Sequence, residues 1–164
     1  MRQRYLIALG SNQRHHRHGP PTRVLRAALV ALETAGLAIK AVAPVLASAP
    51  IGPSLRRYAN GAALISTDLM PDEVLLALKA IEHAFGRRTG GQRWSSRVLD
   101  LDLVLWSGGA WSSPGLIVPH AAFRTRDFVL TPAAALAPRW RDPLSGLSLR
   151  HLKARLTRPR PMPR

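Results

Sequence analysis

Arg97-Val98-Leu99-Asp100-Leu101-Asp102-Leu103-Val104-Leu105 is an apolar, β-prone run interrupted by two carboxylates. Alternate side chains of a strand share a face, so Asp100 and Asp102 point one way and Leu99, Leu101 and Leu103 the other. The leucines can bury. The acids, with Cα atoms roughly 6.5–7 Å apart, can jointly hold one or two hard cations. Asp is depleted from strands, and by itself the pattern also fits the solvated face of an edge strand. The preceding segment favours the cation. Gly86-Arg87-Arg88-Thr89-Gly90-Gly91-Gln92-Arg93-Trp94-Ser95-Ser96-Arg97 carries four arginines and three glycines. It is a poor core element and is expected to act as a mobile lid. Its guanidinium forks suit phosphate oxygens. Arginines on one side and a carboxylate-held cation on the other describe a nucleotide pocket.

Working outward from this strand, read as Val98 to Trp106, the rest of the chain supplies a consistent set of elements. Tyr5 to Leu9 reads as a short buried strand leading into a Gly10-Ser11-Asn12 turn. Thr22 to Ala35 has Val24, Leu25, Ala28, Leu29 and Leu32 at helical spacing, with Gly36 as its stop. Leu37 to Ala47 is a β segment that Pro44 demotes to an edge or bent strand. Tyr58 to Thr67 is a further strand. Pro71 to Phe85 reads as a helix, with Asp68 as a possible cap, Asp72 and Glu73 in the first turn and Gly86 at the end. A short helix is expected over Pro132 to Leu136, and the remainder reads as irregular. The order β-α-β-β-α-β predicts an α/β (α+β) sandwich, ferredoxin-like, with a mostly antiparallel sheet and helices on its faces.

The 164 residues suit one domain, expected over 1–157, and 46% apolar residues support a packed core. There is no cysteine, which excludes disulfides and thiolate chemistry and fits a cytoplasmic protein. No run is long enough to span a membrane, and the apolar stretch after Arg4 is too short for a signal-peptide core. The net charge of +15 favours anionic partners. Residues 158–164 form a basic, proline-rich tail expected to be disordered. A nucleic-acid-binding module is the rival reading of this charge. Aromatics are only 5% of the chain and no helix-turn-helix, zinc-finger or RNA-binding signature is present, which counts against it. A second alternative is metal binding by His15, His16 and His18, which cluster in a loop with Arg14 and Arg17.

Several separated segments together resemble the 6-hydroxymethyl-7,8-dihydropterin pyrophosphokinase family. They are Ala8-Leu9-Gly10-Ser11-Asn12; Ser48 to Pro53 with Tyr58-Ala59-Asn60; Ile81-Glu82 with Gly86-Arg87; Arg93-Trp94 with Arg97; Leu99-Asp100-Leu101-Asp102; Val118-Pro119-His120; and Arg126-Asp127-Phe128-Val129-Leu130 with Pro132. The resemblance implies transfer of a pyrophosphoryl group from ATP, the co-substrate, to the hydroxymethyl group of a reduced pterin, with release of AMP. It implies two Mg²⁺ ions held by Asp100 and Asp102, one of which can also help accept the alcohol proton. Arg87 and Arg97 match arginines acting on the phosphates. Arg93 and Trp94 match loop residues that close over the substrates, with Trp94 against the pterin. His120 and Arg126 match ATP contacts, and Lys79 stands where some members place a glutamine that contacts ATP. Tyr58 and Phe128 match the aromatic pair that sandwiches the pterin, Asn60 the amide that reads its edge, and Ser48 a position that contacts it mainly through backbone. Glu82 is expected near the site in a supporting role. Gly10 and Asn12 read as a tight strand exit beneath the pterin. The chain departs from the family at Ser95-Ser96, where Gly-Pro is usual, and at Gly115, where some members have an ATP-binding arginine. A monomer that binds small molecules, not nucleic acid or membrane, is expected.

Overall fold

The structure is a computed structural model that describes residues 1–48, 57–86 and 98–162. Among the described residues seven strands and four α-helices follow in order: β1 (Gln3–Ser11), α1 (Pro21–Thr34), β2 (Ala38–Val42), β3 (Leu46–Ser48), β4 (Tyr58–Thr67), α2 (Pro71–Ala84), β5 (Asp100–Trp106), β6 (Trp111–Ser113), β7 (Leu116–Val118), α3 (Asp127–Leu136) and α4 (Leu149–Thr157). A 3-10 turn, Phe123–Thr125, precedes α3.

The main sheet has the order β2-β4-β1-β5, with β3 also paired to β4, and all its pairings are antiparallel. With β3 set aside, this is the split βαβ arrangement expected from the β-α-β-β-α-β order. The segment expected to bend at Pro44 divides into β2 and β3, which follow one another along the same edge of β4. Proline cannot donate to the ladder, and the break falls between the two pieces.

Each face of the sheet has its own apolar layer. Tyr5, Ile7, Leu9, Leu101 and Leu103 pack under Val24, Leu25, Leu32, Val74 and Leu78 of α1 and α2. Leu6, Ala8, Ala62 and Val104 pack under Phe123, Leu130, Ala133, Leu149 and Leu152 on the α3–α4 side. The two-residue alternation of β1 therefore feeds both cores, as expected of a strand with helices on both sides. The register shifts opposite Leu6/Ile7, so Val104 and Leu105 both join the second layer.

Several elements differ from the sequence expectation. β1 continues through Gly10 and Ser11 instead of turning after Leu9, because both residues are held in register by β4. Asp68 does not cap α2. The helix begins after Met70, whose N–H is accepted by Glu73 Oε2 at 2.8 Å. α3 starts five residues earlier than Pro132 suggests. Pro132 cannot donate to the carbonyl one turn back, that of Phe128, but Phe128 sits at an exposed lip where water can serve. The region expected to be irregular also contains the β6–β7 hairpin and α4, which Ser148 caps by accepting from the His151 N–H. α4 closes over the second layer with Leu149 and Leu152. Among the described residues, no helix is long and apolar enough to cross a membrane.

Candidate active site

The floor of the site is set by strand register. Gly10 of β1 lies opposite Asn60 of β4 on one side and Asp100 of β5 on the other. Side chains at paired positions project to the same face of a sheet, so Asn60 and Asp100 flank a position that has no side chain. A Cβ at Gly10 would stand 3.3 Å from Asn60 Oδ1 and 4.0 Å from Asp100 Cβ. The backbone of Gly10 is not left-handed. It is glycine for room, not for a turn.

Above this floor is a cavity of about 350 Å³, within the size range of small-molecule sites. Tyr58, at the start of β4, and Phe128, in the first turn of α3, both line it and are 40% and 48% exposed. Large aromatic side chains left that open on a cavity wall offer faces for a flat ring. Ser48, at the end of β3, together with Ser11 and Asn12, completes the rim. The cavity is predominantly apolar, with Asn60 and Asp100 as polar groups beside the glycine.

A second cavity, of about 460 Å³, lies along the side of β5 away from β1. Leu75, Leu101, Leu116 and Ile117 supply its apolar lining, and Asp102, His120 and Ser112 its polar groups. Asp100 thus opens on the first cavity and Asp102 on the second. The amide of His120 donates to the Val104 carbonyl (3.1 Å), tying the following loop to β5. Its Nδ1 accepts from the Ala122 N–H (3.2 Å), which leaves the ring proton of the neutral form on Nε2. Nε2 lies 4.0 Å from Asp102 Oδ1. A cis peptide joins Val118 to Pro119 just before it.

The two aspartates suit a particular kind of cation. Both are half-buried, project from one strand face and offer carboxylate oxygens only. Among the described residues, no group of three or more His, Cys, Asp or Glu side chains is arranged around a metal position. Two carboxylates without a full protein cage are what Mg²⁺ accepts, because it retains water and takes further oxygens from substrate phosphates. A structural zinc site, built from four Cys or His donors, does not match this donor set. The donor set therefore fits magnesium.

Glu82 is buried on α2, and its Oε1 accepts the Leu101 N–H at 2.8 Å. This is the amide between the two aspartates. Arg126 is half-buried at the N-terminus of α3, with its guanidinium carbon 5.8 Å from the centre of the Phe128 ring. Lys79 is exposed on α2 and lines neither cavity. Arg87, Arg93, Trp94 and Arg97 lie outside the described residues, as do Ser95 and Ser96.

An ion pair with no local sequence signal braces the loop from His120 to Phe128. Arg124 donates through Nε and Nη2 to the two oxygens of Asp142, each at 2.7 Å. Asp142 is wholly buried and also accepts from the Leu144 N–H and the Ser145 hydroxyl. Burial alone would raise its pKa. The hydrogen bonds from Arg124, Ser145 and Leu144, with the charge of Arg124, outweigh that and bring it to about 2.

The histidine cluster is built differently from a metal site. His15 Nδ1 accepts the N–H groups of Arg17 and His18, which shapes the loop before α1. The His15 ring stacks on His18, and His18 stacks in turn on Phe85 at the end of α2. Burial, then the charges of His16, His18 and Arg17, lowers the His15 pKa and favours the neutral ring.

Comparison with known proteins agrees with this architecture. Residues 6–138 match the family described as 7,8-dihydro-6-hydroxymethylpterin-pyrophosphokinase. The chain belongs to that family. A 2-amino-4-hydroxy-6-hydroxymethyldihydropteridine pyrophosphokinase of Pseudomonas aeruginosa is 41% identical over 145 residues, covering 87% of this chain and 86% of that one. The Synechocystis protein of the same name is 34% identical over 145 residues, 88% of this chain and 71% of its own length. Among solved structures, wild-type HPPK-DHPS of Plasmodium falciparum superposes with a TM-score of 0.72 at 11% identity. That match covers 94% of this chain but 45% of the Plasmodium chain, and at that identity it speaks for the fold alone.

Proposed function

We propose that this member of the pyrophosphokinase family transfers the β,γ-pyrophosphoryl group of ATP to the hydroxymethyl group of 6-hydroxymethyl-7,8-dihydropterin, releasing AMP, as a step of folate biosynthesis. The observation that carries the reading is the division of the D-x-D pair, Asp100 opening on one cavity and Asp102 on its neighbour. A two-substrate transfer needs two pockets that meet at the reacting atoms.

In this reading the pterin lies over Gly10, between Tyr58 and Phe128. Asn60 presents a donor and an acceptor to its edge, and the Ser48 segment closes the rim. ATP occupies the second cavity, with its base against Leu75, Leu101 and Ile117 and its phosphates toward Asp102, His120 and Arg126. Arg87, Arg97, Arg93 and Lys79 are proposed to supply positive charge along the triphosphate, and Trp94 to close over the pterin. Asp100 and Asp102 would hold the two Mg²⁺ ions that accompany the phosphates. Bound there, magnesium neutralises phosphate charge and aligns nucleophile with leaving group.

The pterin alcohol oxygen bonds to the β-phosphorus while the α–β bridging oxygen departs with AMP. The alcohol proton leaves to a carboxylate oxygen of Asp100 in the pterin cavity. The Nε2 hydrogen of His120 faces the nucleotide cavity and serves as a donor to phosphate. The protein is further proposed to act as a cytoplasmic monomer.

Incubation with Mg²⁺, ATP and the hydroxymethyl pterin, followed by chromatography of AMP, tests the reading. AMP is expected only when the pterin is present, and Asp100→Ala is expected to abolish it with the fold intact. ADP instead of AMP, or no product from folded protein, would overturn the proposed reaction.

A further inference from the structure

Among the described residues β5 is an edge strand, paired within the sheet with β1. An edge leaves backbone groups that must find partners elsewhere. At Leu101 the partner is the carboxylate of Glu82, 19 residues earlier in the chain, at 2.8 Å. Glu82 is 3% exposed and shares the inner face of α2 with Leu78 and Ile81. A carboxylate among leucines is costly to desolvate, and an apolar residue of similar volume would pack there without that cost. Packing therefore does not account for an acid at this place, and its hydrogen bond to the Leu101 amide is one reason for it.

The N–H that Glu82 holds belongs to the peptide joining Asp100 to Leu101. The orientation of that peptide sets the pleat at Leu101, and with it the directions in which Asp100 and Asp102 leave the strand. We propose that Glu82 is a positioning residue for the cation-binding pair, acting through the Leu101 amide to hold the two carboxylates at the spacing the ions require. Outer partners that orient metal ligands are commonly worth 10–100-fold in metal affinity. The inference rests on the reading of Asp100 and Asp102 as magnesium ligands.

Mn²⁺ binding, followed by electron paramagnetic resonance with α,β-methylene-ATP present, measures the site without turnover. Hydrogen exchange at the Leu101 amide measures the grip. Glu82→Met keeps the length of the side chain and removes the acceptor; Glu82→Gln keeps an acceptor. Glu82→Met is expected to speed exchange at Leu101 and weaken Mn²⁺ binding by about 10–100-fold, and Glu82→Gln to restore both largely to the parent values. Coupling is reciprocal, so loading the parent protein with Mn²⁺ and the analogue must slow exchange at Leu101. That second measurement needs no variant and stands even where Glu82→Met fails to fold. Unchanged Mn²⁺ affinity in folded Glu82→Met, or unchanged Leu101 exchange on loading the parent, overturns the positioning role. Parent protein that binds Mn²⁺ no better than Asp100→Ala overturns the magnesium reading itself, which separates the two failures.

Discussion

Gly10 is held between the side chains of Asn60 and Asp100, and the proposed pterin pocket uses the room its missing methyl group leaves. A Cβ there would come within 3.3 Å of Asn60 Oδ1, closer than most real Cβ contacts, so Asn60 would have to give way. Gly10→Val would also raise the floor of the cavity beneath Tyr58 and Phe128. The backbone is extended there and valine suits a strand. We expect Gly10→Val to weaken pterin binding by at least ~10-fold, about 1.4 kcal/mol, with little loss of melting temperature. Pterin fluorescence titration and a thermal melt check the two halves, and a protein that loses stability but not affinity would contradict the assignment. Gly10 shows what one residue reveals in sequence and what it withholds. It was readable as a constrained position under the pterin, but as a tight turn. Its real constraint is a through-space approach of β4 and β5, which no local pattern records.

At the scale of elements, the segment carrying His120 and Phe128 is braced from a distance. The turn at Phe123–Thr125 is fixed to the loop before α4 by Arg124 and Asp142, 18 residues apart. Asp142 titrates near 2 in the folded protein against an ordinary value of 3.8. The unfolded chain therefore takes up the proton first as pH falls. The stabilisation is fully present above about pH 4 and is lost as pH drops through 2, a contribution on the order of 2 kcal/mol. Asp142→Asn is expected to flatten this acid limb and to cost about 3 kcal/mol at neutral pH, because it leaves Arg124 without its charged partner. Urea denaturation at pH 7, 4 and 2.5 measures both effects; an equal acid loss in parent and variant would rule out Asp142 as its source. The elements with regular periodicity, α1, α2 and β4, were legible to within a residue or two at each end. α4 was not, because Leu149, Leu152 and Leu156 give only a short apolar stripe among basic residues. The second core layer makes that stripe sufficient. Pro132 likewise hid the first turn of α3, which is the turn that presents Phe128.

Across the whole molecule the charge is +15, while the two cavities differ in polarity. A field of that sign raises the local concentration of a triphosphate and acts weakly on an uncharged pterin. Raising ionic strength at fixed free Mg²⁺ is expected to increase KM for ATP several-fold while pterin KM changes little. Initial-rate kinetics in NaCl will show this, and equal shifts for both substrates would remove the electrostatic account.

The sequence by itself determined the β-α-β-β-α-β order, the burial of β1 and the placement of both aspartates on one strand face. Each of these follows from local periodicity and from side chains alternating along a strand. It also carried enough motif residues to point to the family. Tertiary structure alone decided that Asn60, Gly10 and Asp100 stand in one row, that the aspartates open on different cavities, and that Glu82 grips the amide between them. These depend on strand register and on an α2–β5 approach between residues far apart in the chain. Such contacts form only when the two apolar layers pack, and packing leaves no spacing rule in the sequence.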